Sequence, residues 1–65
     1  MRLTREVTEL INGLTREQAK ALLENVSAQV HDAEGVNLLR KAVRENVIDG
    51  TISVSALREA SEAND

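Results

Sequence analysis

The chain has no cysteine and no aromatic residue, and its 65 residues include one histidine, one methionine and three glycines. The absence of cysteine excludes zinc ribbons, thiol redox chemistry and thiol nucleophiles together. Without an aromatic ring there is no platform on which a nucleic-acid base could stack. The single imidazole, His31, lacks the cysteine or second histidine a zinc site needs. It lies off the nearest apolar arc, beside Asp32 and Glu34, and reads as an exposed side chain near a helix C-terminus, where the dipole favours its cation. Apolar runs are too short to cross a bilayer, and Met1-Arg2-Leu3-Thr4-Arg5-Glu6 is not the opening of a signal peptide. A cytoplasmic location and no membrane partner are therefore expected, and the glycosylation pattern Asn25-Val26-Ser27 is idle.

Positive charge is also in deficit. Eight lysines and arginines stand against eleven acidic residues, for a net charge of -3, and both signs are interspersed. Nucleic-acid binders concentrate a positive excess on one surface, so the balance argues against that partner class. Arg40 and Arg44 stand one helical turn apart with Lys41 alongside, a spacing that could touch phosphates. The same spacing lets the methylene stems of the two arginines flank an apolar stripe while their charged ends reach water. The carboxylate pairs Glu6/Glu9 and Glu59/Glu62 fall on polar faces and read as solvated charge rather than as a general acid and base. No enzyme activity, cofactor or metal is expected.

What the chain does have is 18 leucines, isoleucines and valines at helical spacing. Leu3, Val7, Leu10, Ile11 and Leu14 occupy one arc and predict a helix over about Thr4 to Asn12, with Gly13 closing it in the left-handed conformation. Leu14-Thr15-Arg16-Glu17-Gln18-Ala19 then starts a second helix, in which Thr15 and Gln18 form a capping box and Leu14 meets Ala19 as a hydrophobic staple. Its apolar set, Ala19, Leu22, Leu23, Val26 and Val30, extends it to between Gln29 and Ala33. The tetrads Leu3-Thr4-Arg5-Glu6 and Leu14-Thr15-Arg16-Glu17 are identical and read as two helix starts rather than as a solenoid repeat. Asp32 is favoured as the cap of a third helix over about Ala33 to Ile48, with termination of the second helix at Gly35 as the alternative. The third helix carries the stripe Val36, Leu39, Val43 and Val47. Asp49-Gly50 ends it, and Ser53 caps a short fourth helix in which Ile52 packs on Leu57.

These readings predict an all-α fold over residues 1–65: a single-domain bundle of about four short helices around a central helical hairpin, frayed over residues 61–65. At this length folding buries only about 60% of the surface of the unfolded chain, which favours support from a partner. Asp49-Gly50-Thr51-Ile52-Ser53, followed by Leu57, resembles the second half of a calcium-binding EF-hand loop. In that register Val47 and Ala56 fall at ligand positions and supply no side-chain oxygen, so the segment reads instead as a C-cap glycine followed by a serine N-cap.

Two apolar residues lie off the third helix's stripe. Leu38 and Ile48 stand beside Lys41 and Glu45, on a second edge that something must cover. The first or fourth helix is expected to cover it. The alternative makes Leu38, Lys41, Glu45 and Ile48 a binding surface for another protein or a second copy of the chain, with the two charges setting orientation. The functional expectation is a small non-enzymatic interaction module, a regulator or inhibitor, for which the small size makes a homodimer a candidate form; a DNA-associated regulator such as a transcription factor or antitoxin is the second reading. Val36-Asn37-Leu38-Leu39-Arg40-Lys41-Ala42-Val43-Arg44-Glu45-Asn46, with Ala56-Leu57-Arg58-Glu59-Ala60 after a turn, resembles the C-terminal helical part of flagellar anti-sigma factors. That resemblance, over about 25 residues, implies inhibition of a sigma factor through short C-terminal helices. The Gly and aromatic that often follow the first helix in that family are Val47 and Ile48 here.

Overall fold

The computed structural model describes residues 3–24, 26 and 34–63, and within them the chain is all-helical. Helix α1 spans Arg5–Asn12, α2 Arg16–Leu22, α3 Val36–Ile48 and α4 Val54–Glu62. Three of the four begin at the side-chain caps expected of them. Thr4 Oγ1 accepts from the Val7 N–H at 3.2 Å. Gln18 N–H donates to Thr15 Oγ1 at 3.1 Å while Thr15 N–H donates to Gln18 Oε1 at 2.8 Å, closing the capping box. Ser53 Oγ accepts from the Ala56 N–H at 3.1 Å. Each bond satisfies a first-turn donor that the helix cannot satisfy itself.

The helix ends depart from expectation in three places. Gly13 closes α1 in the right-handed conformation, with φ at -88°, not the left-handed one. Its N–H still bonds Glu9 and Leu10, and the Leu14 N–H then reaches Ile11 at 3.2 Å, so a tightened turn carries the chain on without reversing the backbone. Helix α2 stops at Leu22, well short of Gln29. Beyond it the bonds step back three residues, Glu24 to Ala21 and Val26 to Leu23. This turn buries Leu23 fully while leaving Leu22 and Val26 half-buried. Helix α3 starts at Val36 behind Gly35, whose φ of 86° disfavours any residue with a Cβ, and no side chain caps it. The expected start at Ala33 is therefore displaced by the conformation that only Gly35 adopts easily. Asp32, His31 and the Asn25-Val26-Ser27 pattern fall wholly or partly outside the described residues.

Helices α1 and α2 each pack against both α3 and α4. The expected pairing of the second and third helices is present, although α2 has only 7 residues against 13 in α3. Between the two pairs lies one aliphatic core. Ile11 and Leu14 enter it from the first two helices' side, Leu23 from the end of α2, Leu39, Val43 and Val47 from α3, and Leu57 from α4, all fully buried. Ile52, at 5% exposure, belongs to the same core as Leu57. The connector that positions it turns at Gly50, φ 87°, and is fastened by the Ile52 N–H to the Asn46 carbonyl at 3.0 Å. No described helix is long and apolar enough to cross a membrane.

Candidate interaction surface

The orientation of α3 is fixed by its buried stripe and then by two arginines on its flank. At 100° per residue, Leu39, Val43 and Val47 span about 80° of arc and point into the core. Arg40 does not send its guanidinium to water, as the stem-covering reading anticipates. Its Nε and Nη2 donate to the Leu14 carbonyl at 2.9 and 2.6 Å. One turn along, Arg44 Nη2 donates to Asn12 Oδ1 at 3.3 Å. These contacts pin the α1–α2 turn onto α3 and leave the helix one way to face.

Directly opposite the stripe lie Leu38, Lys41, Glu45 and Ile48. On a helical projection they too occupy about 80° of arc, centred about 180° from the centre of the core stripe. Leu38 is 57% exposed and Ile48 41%, and among the described residues these are the exposed large hydrophobics. Lys41 and Glu45 between them are exposed. The expectation that α1 or α4 covers this edge is not met, since Leu38 and Ile48 keep this exposure in the folded chain. The four residues thus share one exposed face of the helix. Among the described residues Lys41 and Glu45 enter no ion pair; the ion pairs are Arg5–Glu9 at 3.6 Å and Arg58–Glu6 at 2.9 Å.

Among the described residues, the others singled out by sequence do not converge on a reaction centre. Glu6 and Glu9 are taken up in those two ion pairs, and Glu59 and Glu62 are exposed. Asp49 Oδ1 accepts from the Thr51 N–H at 2.9 Å. The Thr51 hydroxyl and that backbone bond together hold the Asp49 carboxyl below its ordinary pKa. The carboxylate thus folds back on its own turn, and no group of three or more His, Asp or Glu among the described residues is arranged to hold a metal ion. A groove of about 270 Å³ runs between the end of α2 and the start of α4, walled by Leu22, Val26, Ile52 and Ala56 with the hydroxyl residues Thr51 and Ser53. Among the described residues its lining contains no ionisable side chain.

The role of Arg40 as a clamp was missed by sequence reasoning, because its acceptor is a backbone carbonyl 26 residues away. The segments resembling anti-sigma factors fall on α3 and α4, and their residues Leu39, Val43 and Leu57 are spent on this chain's own core. Comparison with protein-family models, with curated proteins and with solved structures gives no match to the chain.

Proposed function

We propose that the chain is a non-enzymatic protein–protein interaction module, a small regulator or inhibitor, that docks a helix of another polypeptide along the outward face of α3. The observation that carries this reading is the exposure of Leu38 and Ile48, at 57% and 41%, on the side of α3 opposite its core stripe. An isolated surface leucine needs no explanation, but two large aliphatics on one helix face, framing a Lys and a Glu, match the apolar anchors and orienting charges of a helix-binding surface. The arginines that would serve a DNA-associated regulator give less support to that reading. Arg40 holds a backbone carbonyl and Arg44 a side-chain amide, which leaves Lys41 as the exposed cation of the trio.

A photo-crosslinking residue at Leu38 tests the proposal in the producing cell, with the same residue at Glu59, exposed on α4, as the comparison. The Leu38 position should give a discrete polypeptide adduct that survives nuclease treatment and disappears when Ile48→Ser is added, while the Glu59 position gives none. Equal labelling from both positions, or an adduct that depends on nucleic acid, overturns the reading.

A further inference from the structure

The outward face of α3 has an internal symmetry. Leu38, Lys41, Glu45 and Ile48 are separated by three, four and three residues, the spacing of a short coiled-coil seam. Read from either end, the seam is apolar, charged, charged, apolar, and the two charges are opposite. Laid antiparallel on a second copy and centred on position 43, Leu38 comes level with Ile48 of the other chain and Lys41 with Glu45. The outer layers are then aliphatic at both ends, about 15 Å apart along the axis, and the two inner layers are both ion pairs. A parallel arrangement would set Lys41 against Lys41 and Glu45 against Glu45, placing like charges in contact.

We infer that the chain self-associates as a symmetric antiparallel dimer through α3, in the register that pairs Leu38 with Ile48 and Lys41 with Glu45. The inference rests on the interaction reading above and names its partner. A two-fold contact must be self-complementary, since the same patch serves both copies. This face meets that condition in its charges as well as in its apolar residues. Lys41 and Glu45 also lack an ion-pair partner within the described chain, so forming the cross-chain pairs breaks none. The contact is one helix per copy, well below the roughly 1,200 Å² of a standard stable interface, so the dimer belongs to the weak, concentration-dependent class.

Sedimentation equilibrium on the purified full chain, from micromolar to millimolar concentration, should show the mass rising from 7.1 kDa toward twice that value. Lys41→Glu alone and Glu45→Lys alone should each weaken association at least tenfold. The double exchange Lys41→Glu/Glu45→Lys restores the cross-chain pairs and should restore association. Circular dichroism on each variant at a concentration where it is monomeric verifies that the helices are intact. Because the chain has no native cysteine, register can be read by disulfide trapping: Leu38→Cys mixed with Ile48→Cys should give a mixed disulfide, while Leu38→Cys alone gives little.

A chain that stays monomeric throughout, a double exchange as weak as the single ones, or efficient self-linking of Leu38→Cys each overturns the antiparallel dimer. If the chain is monomeric and the Leu38 cross-linker still captures a different polypeptide, the interaction reading survives and the second copy as occupant does not. If neither association nor capture is seen, both fall.

Discussion

The guanidinium of Arg40 grips the Leu14 carbonyl with two donors, Nε at 2.9 Å and Nη2 at 2.6 Å, joining the third helix to the turn between the first two. Leu14 precedes the N-cap of α2, so its carbonyl lies outside the helical bonding of both α1 and α2, while its side chain is fully buried. A carbonyl in that position needs an outside donor. A planar fork supplies it with two N–H groups and one fixed geometry.

Arg40→Ala should therefore cost about 1.5 to 3 kcal/mol, the range for a hydrogen bond involving a charged group. For a domain this small each kcal/mol lowers the melting temperature by about 4 to 8 °C. Arg40→Lys should recover only part of the loss, because an ammonium offers a point charge in place of the fork. Melts of the three proteins at equal, dilute concentration decide the matter; equal stability of Arg40→Lys and the parent chain would show that charge alone suffices.

The end of α2 sets a second expectation. Leu22 and Leu23 are adjacent and chemically identical, yet Leu23 is fully buried and Leu22 lies half-exposed at the groove beside α4. Leu23→Ala should cost about 2 to 5 kcal/mol, the range for emptying a packed leucine site. Leu22→Ala should cost clearly less, since part of its surface is already wet. Urea denaturation of the two variants ranks them, and a Leu22 variant as damaged as the Leu23 variant would place both in the core.

These contrasts show which parts of the molecule local rules reveal. The caps at Thr4, Thr15 and Ser53 depend on groups three residues apart, so the sequence displays them openly. The stripe Leu39, Val43 and Val47 is a matter of period and is equally legible. The end of α2 is not, because Leu22, Leu23 and Val26 fit one helical arc and also fit a helix that tightens into a three-residue turn. Gly35 is ambiguous for a related reason: glycine closes one helix as readily as it opens the next, and its φ of 86° is a property of the folded path. Leu38 and Ile48 were legible as a second edge. That neither α1 nor α4 covers this edge depends on tertiary packing, which periodicity does not contain.

Asp49 gives a prediction in pH. Its carboxyl is held below the ordinary aspartate value chiefly by the Thr51 hydroxyl and then by the Thr51 backbone N–H, which together outweigh the opposing effect of desolvation. A carboxyl depressed on folding stabilises the fold above its unfolded pKa of about 3.9, and that contribution is lost as pH falls through the lower folded value. Thr51→Val removes the hydroxyl and keeps the backbone bond. NMR titration of the Asp49 carboxyl carbon should give a midpoint nearer the ordinary value in the variant than in the parent, and the acid limb of the melting profile should begin at correspondingly higher pH. An unchanged midpoint would leave the hydroxyl without a role.

The last prediction separates two glycines that look alike in the sequence, each just past the end of a helix. Gly50 follows Asp49 with φ at 87°, in the region where a Cβ crowds the adjoining carbonyl. It turns the chain so that the Ile52 N–H can reach back to the Asn46 carbonyl and its side chain can enter the core. Gly50→Ala has open space around the new methyl group, so its cost is backbone strain alone, about 1 to 2 kcal/mol. Gly13 sits at φ -88°, a conformation any residue adopts, and an added Cβ would meet the Glu9 carbonyl oxygen at 3.4 Å, an ordinary contact. Gly13→Ala narrows the unfolded ensemble without straining the fold and should stabilise by about 0.4 to 1 kcal/mol. Thermal melts of the two alanine variants should move in opposite directions from the parent; destabilisation by Gly13→Ala comparable to that of Gly50→Ala would mean that α1 closes through a left-handed residue after all.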